Sequence, residues 1–555
     1  MDSIIAIWPA VVVGISVTYI LGYIWREIHH ARRARQLGCK PAFVRPSRLP
    51  FGIDIMLRYM RSTEAQNQQN DDLVVYDELD QRPTWYQNIL GNWHHVTVDP
   101  KNVQAILATQ FNNFELGPLR SGVFSPFIGK GIFTSDGKEW SHSRGLLRPQ
   151  FTRAQVADLA LEETHVQALF DCLPVNPDSW TATVDLAPLF FRLTLDSATE
   201  FLFGQSVHSQ KAATMIATKE TGQQELEWAS FGQCFDNANL GVCYRSRLMD
   251  LYYLYSPLSF RRNCREVHRF ADYYVRRALE SDMSSSNDAE KVATKQHTYV
   301  FLDELVKVTK DPQELRGQLL NILLGKLAYF PPLMQENSPR GLSLFADLTI
   351  GAGRDTTAGL LGWTFYLLAR NPEIYTILRK AIIDHFGAYP STENISFETL
   401  KSCTYLQNVM SEVLRLHPIV PENSRRAVRD TTLPRGGGVD GTSPVYIRKG
   451  SEVAYNVHIM HRRTDIWGPD AHEFKPERWN HRKTGWEYLP FNGGPRICLG
   501  QQFALTEAGY VIARIVQRFD QIESMDTEAI TRHRYTVTTS PVNTLVRLHN
   551  AVSLK

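Results

Sequence analysis

The residue best suited to chemistry is Cys498, which lies in a glycine-rich stretch just before an apolar-periodic segment. The stretch reads Phe491-Asn-Gly-Gly-Pro-Arg-Ile-Cys-Leu-Gly500. A helix that begins directly after a cysteine stabilises its thiolate through the helix dipole and the free N–H groups, and a metal ligand needs that thiolate. Gly494 and Gly500 let the backbone approach a flat cofactor, and Arg496 can pair with a cofactor carboxylate. The stretch therefore predicts a thiolate ligand beside a planar anionic cofactor.

A lone cysteine before a helix is more often a packed thiol than a ligand, so the surrounding pattern decides. The order F-x-x-G-x-R-x-C-x-G is complete here and resembles the haem-binding loop of the cytochrome P-450 family. The resemblance implies that Cys498 is the axial thiolate ligand of haem b (iron protoporphyrin IX). It also implies that Phe491 shields the sulfur and that Arg496 holds a haem propionate.

Two further segments resemble the propionate-binding positions of this family. Trp140-Ser-His-Ser-Arg144 matches its W-x-x-x-R segment, and Arg425 lies ten residues after Arg415, where the family commonly has another arginine. The resemblance thus implies that three arginines, Arg144, Arg425 and Arg496, meet two haem carboxylates. For Trp140, an ordinary buried core aromatic is an equal alternative.

A second reactive segment, Ala352-Gly-Arg-Asp355-Thr356-Thr357, resembles the oxygen-activation groove of the same family. The resemblance places Ala352 against the haem and makes Asp355 and Thr356 the catalytic pair. An acid beside a hydroxyl, in a helix loosened by glycine, can relay protons to the oxygen being activated. The alternative is that both threonines bond back to carbonyl groups four residues earlier, as helical threonine often does.

An acid and a base at helical i, i+3 spacing, Glu412-Val-Leu-Arg415, precede a further arginine, Arg478, in Phe474-Lys-Pro-Glu-Arg-Trp479. The resemblance assigns Glu412, Arg415 and Arg478 to a buried charge network behind the haem loop. The spacing itself is weak evidence, because Glu266-Val-His-Arg269 and Glu422-Asn-Ser-Arg425 share it. We interpret those two as a solvated helix pair or an accident of spacing.

A mainly helical fold must position these residues. Apolar residues at i, i+3 and i+4 spacing predict helices over about 154–170, 259–281, 342–370, 403–416 and 502–518. Strand-like, glycine-rich sequence lies between about 425 and 460, with a turn at 435–438. We therefore expect a mainly α fold with a small β subdomain, the cytochrome P-450 fold. We divide the chain into an N-terminal membrane anchor (1–25), a basic and proline-rich hinge (26–50) and a haem-thiolate catalytic domain (51–555).

The composition excludes several other classes of protein. With 60 basic and 58 acidic residues the net charge is only +2, so no overall field attracts nucleic acid. The seven cysteines are few, and the sequence has no C-x-x-C pair, which argues against a disulfide scaffold and a structural zinc site. The glycine string Gly436–Gly441 lacks the strand-to-helix setting of a flavin or nicotinamide site, so electrons must come from a separate protein.

The N-terminus predicts a membrane anchor. The 22 residues from Ile4 to Trp25 carry no charge, and as a helix they would reach about 33 Å, enough to cross a ~30 Å hydrocarbon core. Basic residues follow from Arg26 to Lys40, which predicts that the rest of the chain stays in the cytosol. The alternatives are a buried helix or a signal peptide, but a signal peptide needs basic residues before the run, and only Asp2 is charged there.

One segment departs from the family pattern. The helix entering the oxygen-activation groove should run from Gln318–Leu324 directly into Ala352, but 27 residues, Gly325 to Gly351, intervene. They include Pro331-Pro332 and Pro339, which cannot lie inside a regular helix. We interpret the segment as a retained intron, because its excision preserves the reading frame and leaves a continuous helix. A genuine surface loop is the alternative.

Among members of the family, the chain resembles fungal alkane and fatty-acid hydroxylases most, on Leu49–Asp54, Thr431–Gly438, Met460–Asp465 and Arg354–Leu361. The resemblance implies a monooxygenase that hydroxylates an alkane, a fatty acid or another alkyl chain, with tailoring of a fungal secondary metabolite as an alternative.

The partners of such an enzyme would be an NADPH-dependent flavoprotein reductase on the endoplasmic reticulum membrane and, as a further candidate, a cytochrome b-type donor. We expect Ile419, Val420, Thr539 and Val542 to line the pocket, with ordinary core positions as an equal alternative. A haem-thiolate isomerase or an inactive haem-binding relative stays open, although the Asp355–Thr356 pair favours the monooxygenase.

Overall fold

Helices carry most of the residues that position the predicted site. The structure is a computed structural model and describes residues 7–151, 159–211, 223–285, 300–326, 356–535 and 537–551. In the first half the helices are α1 (Ile7–Gln36), α2 (Ile53–Glu64), α3 (Gln68–Glu78), α4 (Pro100–Gln104), α5 (Gly117–Ile128), α6 (Gly137–Leu147), α7 (Leu159–Asp171), α8 (Leu186–Phe203), α9 (Gln223–Arg247) and α10 (Leu258–Ser285). In the second half they are α11 (Phe301–Val306), α12 (Pro312–Lys326), α13 (Thr356–Leu368), α14 (Pro372–Phe386), α15 (Phe397–Ser402), α16 (Thr404–Leu416), α17 (Val457–Met460), α18 (Thr464–Trp467) and α19 (Gln501–Arg518).

The strands are short and lie in four groups within the described residues. They are β1 (Phe43–Val44), β2 (Thr84–Ile89), β3 (Asn92–Thr97), β4 (Phe114–Glu115), β5 (Val184–Asp185), β6 (Glu422–Ala427), β7 (Thr431–Gly437), β8 (Ser443–Ile447), β9 (Glu452–Asn456), β10 (Phe519–Ser524), β11 (His533–Tyr535), β12 (Thr539–Pro541) and β13 (Leu545–Asn550). The largest sheet has the order β1-β2-β3-β9-β6-β4, and β10-β13-β5, β11-β12 and β7-β8 form the others. The mainly α fold with a small β part, expected from the sequence, is confirmed.

Helices α13 and α19 lie in the main core. Nearly every residue of α13 is buried, as expected for a helix that is apolar on all sides. Helix α19 is buried from Thr506 to Gln517, and residues of α13, α16 and α19 belong to one apolar cluster. The segments that carry the predicted chemistry, at the start of α13 and just before α19, are therefore anchored to the same packed core.

The large sheet positions one arginine of the predicted site. Strand β6 runs antiparallel to β9, and Arg425 lies opposite Val453. Alternate residues of a strand point to opposite faces. Arg425 is buried, while Glu422 at the beginning of the strand is not. The β strand thus separates the acid and the base of the third E-x-x-R sequence.

The N-terminal helix α1 contacts the β7–β8 hairpin. Glu27 accepts two hydrogen bonds from Arg448, at 2.6 and 2.7 Å, and His30 lies 3.1 Å from the Tyr446 hydroxyl. The backbone N–H of Lys40 then donates to the carbonyl of Pro444 at 2.9 Å. Within the described part of the chain, no helix combines the length and the apolarity that crossing a membrane requires. The predicted span is therefore not confirmed.

Helix bounds agree closely with the expected periodicity where they can be compared. The segments predicted at 259–281, 403–416 and 502–518 are α10, α16 and α19, each within about four residues at either end. For the segments predicted at 154–170 and 342–370, the described parts are helical as α7 and α13. Residues 152–158 and 327–355 lie outside the described residues, and so does the insertion beyond Lys326.

Candidate functional site

The loop before α19 folds so that Cys498 faces a cavity. The backbone N–H of Cys498 donates to the carbonyl of Phe491 at 3.0 Å, which closes the loop, and α19 begins three residues later. Asn492 and Gly494 take the left-handed φ values of 63° and 66° that the tight path requires. The thiol thus lies just before a helix N-terminus, as the sequence predicts.

Gly494 has a structural reason to be glycine in addition to the expected one. A Cβ at this position would lie 2.0 Å from the carbonyl oxygen of Leu107, so the glycine lets two backbone segments touch. Its positive φ is a second reason for glycine. A Cβ at Gly500, by contrast, would meet only the Phe151 ring at 3.8 Å, an ordinary contact. Gly494 therefore fixes the loop against the protein, a role that does not depend on a cofactor.

The Cys498 side chain is accessible, but the surface it presents belongs to the cavity. Because protein atoms surround that cavity, desolvation raises the pKa of the Cys498 thiol, while the backbone N–H of Gly500 and the Arg144 guanidinium act to lower it. The protein therefore supplies two groups that stabilise a thiolate, and their effect on the pKa opposes the effect of desolvation. Such a thiol becomes a stable anion when a cation binds it.

The cavity, of about 270 Å³, brings most of the predicted site residues together. Those that line it are Trp140, Arg144, Thr356, Arg425, Phe491, Arg496 and Cys498. Ile419 and Val420 line it as well, whereas Thr539 lies behind Ile419, donating its N–H to the Ile419 carbonyl at 2.9 Å. Val542 is not among the lining residues. Ala352 and Asp355 lie outside the described residues.

Trp140, Arg144 and Arg496 form one contact group at the edge of the cavity. The Arg496 guanidinium lies over the Trp140 ring at 4.5 Å, and that of Arg144 lies over the same ring at 5.8 Å. Arg496 also donates to Asp136 at 2.6 Å, and Arg144 donates to the carbonyl of Ile497 at 3.2 Å. The W-x-x-x-R segment therefore packs directly on the Cys498 loop.

Two residues of this region were missed by the sequence analysis. Arg120, from α5, lines the cavity and donates to Asn423 at 2.7 Å. Asp136 pairs with Arg496 and also accepts the N–H groups of Leu116 and Gly117. An isolated arginine in an otherwise apolar helix is the only signal that the sequence offers for Arg120.

Among the described residues, the positive charges around the cavity are only partly balanced by carboxylates. Among the described residues, Asp136 is the only carboxylate that forms an ion pair with any of the four arginines at positions 120, 144, 425 and 496. Burial, together with neighbouring guanidinium groups, lowers the pKa of Arg496 to about 10 and also lowers the pKa of Arg120. A buried cluster of cations favours an anionic ligand that pairs with it.

Glu412, Arg415 and Arg478 meet in the core beside the loop. Arg415 donates to both Glu412 oxygens at 2.8 Å and to the carbonyls of His461 and Ala471 at 2.8 and 2.6 Å. Glu412 also accepts from Arg478 at 3.3 Å and from the Trp479 ring N–H at 3.0 Å. Every donor has a partner, as a buried ion pair requires.

A family model described as "Cytochrome P450" matches residues 64–546. The chain belongs to the cytochrome P450 family. It is 47% identical over 515 residues to "Cytochrome P450 monooxygenase g430" of a Fusarium species, which covers 92% of this chain and 84% of that protein. It is 42% identical over 529 residues to "Cytochrome P450 52A3-B" of Candida maltosa, which covers 94% and 92%.

A solved structure has the same fold. The crystal structure of the cytochrome P450DA heme domain superposes with a TM-score of 0.68 at 20% identity, covering 93% of this chain and 98% of that one. As a P450, the protein is a monooxygenase that uses haem with a cysteine thiolate ligand and takes its electrons from a separate reductase. The cavity fits this cofactor. Its lining presents one thiol and four guanidinium groups, and only one carboxylate among the described residues pairs with those guanidinium groups. Haem carries two carboxylates, which the remaining guanidinium groups can pair with.

Proposed function

We propose that this P450 hydroxylates a long, lipophilic alkyl chain, such as an alkane or a fatty acid, at or near its end. The observation that carries the proposal is the composition of the cavity wall beside Cys498 and Thr356. Apart from the arginine edge, that wall is made mainly of aliphatic and aromatic side chains, including Leu360, Ile419 and Val420. Such a wall excludes water and holds a substrate through apolar contact. The resemblance to fungal alkane and fatty-acid hydroxylases, carried by Leu49–Asp54, Thr431–Gly438 and Arg354–Leu361, supports the same proposal.

We assign different roles to the residues around the cavity. We assign Cys498 as the haem ligand and Phe491 as the group that shields its sulfur, and we assign Arg144, Arg425 and Arg496, with Trp140, to the propionates. Arg120 joins them because it lines the same cavity. The bound haem supplies the oxidising chemistry, which activates oxygen for insertion into a C–H bond. Thr356 lines the cavity at the start of α13, where it can donate or accept a proton, with Asp355 proposed as its partner.

Product analysis tests the substrate class. The purified protein, reconstituted with an NADPH-dependent flavoprotein reductase, should convert dodecane or dodecanoic acid to hydroxylated products. Val420→Phe should reduce turnover of these chains at least about tenfold by filling the cavity, whereas Val439→Phe, at a hairpin residue that is 92% exposed, is the matched control. Turnover of compact polycyclic compounds without turnover of either alkyl chain would contradict the proposal.

Oxidative tailoring of a fungal secondary metabolite is the second candidate. The relatives from Fusarium and Alternaria solani, which cover 92% and 97% of this chain, are named as monooxygenases without a substrate, so likeness to them does not distinguish the two candidates. Conversion of a compact substrate in the same assay would support the second candidate.

Replacement of the ligand tests the assignment of Cys498. Cys498→His should abolish the thiolate-type spectrum of the reduced, carbon monoxide-treated protein while some haem stays bound. Cys39→Ser is the control, because Cys39 lies in the segment after α1, away from the cavity lining. An unchanged spectrum in Cys498→His would contradict the assignment.

We also propose that the protein works at the cytosolic face of the endoplasmic reticulum membrane, anchored by residues 1–25. The large apolar side chains of the described part of this region are exposed, including Val13, Ile15 and Ile20. Exposed apolar surface of this extent favours contact with lipid. Deletion of residues 2–25 should release the protein from a carbonate-washed membrane fraction. Retention of the truncated protein in that fraction would contradict the anchor.

The proposed domain division keeps Gly325–Gly351 as an atypical insertion, interpreted as a retained intron. Peptide mapping of the native protein tests it: a peptide from Leu327 to Arg340 would contradict the interpretation. Activity of a variant that lacks the segment would support it.

A further inference from the structure

Four buried aromatic rings meet behind the cavity wall. Trp363 stacks on His417 with ring centroids 3.8 Å apart, and His533 lies 5.0 Å from Trp363 and 5.5 Å from His417. His458 lies 6.1 Å from His533. All four side chains are buried, in a region that the catalytic assignment does not use. We call this group the imidazole chamber.

Five nitrogens of this chamber lack hydrogen-bond partners among the described residues. Among the described residues, no hydrogen bond reaches Trp363 Nε1, His417 Nδ1, His458 Nε2 or either ring nitrogen of His533. A buried polar atom without a partner costs roughly 1–3 kcal/mol, so five of them in one place are unfavourable unless something else binds them. Isolated orphans occur in native proteins, but a cluster of this size calls for a ligand.

The hydrogen-bonding roles of these nitrogens identify the kind of ligand. Arg462 donates to His458 Nδ1 at 2.9 Å, so His458 Nε2 must carry a proton and donate. Burial lowers the pKa of His533 to about 3, which makes its ring neutral, with one donor and one acceptor. Trp363 Nε1 is a donor only. The neutral rings therefore offer both donors and acceptors, with the Arg462 guanidinium beside them at His458, which suits a small group that can accept and donate.

A metal ion does not fit this arrangement. Within the described residues, no three histidine, cysteine or acidic side chains have a geometry that could hold one. The Trp363 ring stacks on His417, and its N–H can only donate. This N–H therefore requires a ligand that accepts hydrogen bonds.

We propose that the imidazole chamber binds a small cluster of internal water molecules that joins the β11–β12 hairpin to the elements lining the cavity. Each water can serve two to four of these nitrogens, which is the usual coordination of buried water. His533 is the chamber's contribution from the hairpin, and the other three rings come from α13, the segment after α16, and α17.

The chamber's neighbours show what the water cluster would position. Leu360, Ile419 and Val457 line the cavity and lie within three residues of Trp363, His417 and His458, respectively. On the hairpin, Thr539 donates its N–H to Ile419 and its hydroxyl to Pro418, at 2.9 and 3.2 Å. The water cluster therefore keeps the hairpin in a fixed position relative to the cavity wall at Leu360, Ile419 and Val457. This makes His533 a positioning residue for the substrate.

A crystal structure of the haem-loaded full-length protein tests the ligand directly. We expect ordered water within about 3.2 Å of at least three of the five nitrogens. A chamber without ordered solvent, or one that holds an anomalously scattering metal, would overturn the proposal. This readout does not involve a substrate, so it stays separate from the proposed alkyl-chain specificity.

Variants of His533 test the positioning role. His533→Gln keeps a donor and an acceptor and should leave the thermal midpoint and the ratio of dodecane hydroxylation products close to wild type. His533→Leu removes both and should lower the midpoint by several degrees and change the product ratio at least twofold. The exposed His385→Leu is the control, and His533→Gln behaving like His533→Leu would contradict the water-binding role. If His533→Leu does not fold, the crystallographic test still decides.

Discussion

Two sequences of identical spacing in this protein have opposite environments. Glu412 and Arg415 form an i, i+3 ion pair at 2.8 Å in which both side chains have 0% exposure. Glu266 and Arg269 form the same pair at 2.9 Å on α10, with exposed fractions of 35% and 73%. The ion-pair distance is nearly the same in both, so distance cannot account for a difference in their contribution to stability.

The difference lies in the partners beyond the pair. Arg415 makes further bonds to buried carbonyls and Glu412 accepts from Arg478, Trp479 and a backbone N–H, whereas the surface pair faces water. Burial makes each missing partner costly, while water replaces a lost partner at the surface. The E-x-x-R spacing therefore acquires meaning only through the segments that fold over it.

The largest effect is expected from removing the buried cation. Arg415→Met leaves the Glu412 carboxylate buried with fewer donors, so we expect the free energy of unfolding to fall by about 3–5 kcal/mol. Guanidinium denaturation of the holoprotein, or its yield when the variant is too unstable to purify, measures the effect. Arg269→Met is the matched control, and equal losses in the two variants would remove the contrast.

A smaller loss of stability is expected from removing a single hydrogen-bond donor to the Glu412 carboxylate. Trp479→Phe removes the ring N–H that donates to Glu412 at 3.0 Å and keeps most of the apolar contact. A hydrogen bond to a charged group contributes about 1.5–3 kcal/mol, and we expect a loss in that range in denaturant titrations. A variant as stable as wild type would show that the other donors suffice.

The rim of the buried network should respond to pH. Hydrogen bonds from Arg478 and Lys475 lower the pKa of Asp470 to about 2, so its ion pair is present above the usual carboxyl range and is lost as the pH falls toward 2. Asp470→Asn should therefore reduce stability by up to ~1 kcal/mol above pH 4, and the difference should shrink at lower pH. Unfolding measured from pH 6 down to pH 3 checks this. A difference that grows on acidification would contradict the ion pair.

The smallest effect is expected at the surface pair. Glu266→Ala, Arg269→Ala and the double variant should each change stability by less than about 0.5 kcal/mol, with a coupling energy near zero in high salt. A double-mutant cycle in denaturant measures it. A coupling energy comparable to that of the buried pair would mean that burial is not the deciding factor.

The parts of the fold and site set by local sequence were predictable. Helix α16 follows from its apolar spacing, and the loop up to Cys498 follows from a motif whose residues are contiguous. The charge network at Glu412 could be assigned by resemblance, but its contacts with carbonyls some 50 residues away could not be derived from spacing.

The parts set by long-range contact were not predictable. Arg120 carries no motif, and it reaches the cavity only because α5 packs near Asn423, some 300 residues later in the chain. The reason for Gly494 is the Leu107 carbonyl, which no local pattern reveals. Likewise, Glu422 and Arg425 fail to pair because they lie on a strand, where Glu422 instead accepts from the Tyr535 hydroxyl at 2.5 Å.

The contacts between α1 and the β7–β8 hairpin limit how the body of the protein can rotate. A single contact acts as a pivot, but this region is attached at two places about 13 residues apart: Glu27 of the helix bonds to Arg448, and Lys40, four residues after the helix, bonds to Pro444. Two attachment points remove the swivel that a proline-rich linker would otherwise allow. The direction of α1 therefore determines the orientation of the catalytic domain, and the two rotate together.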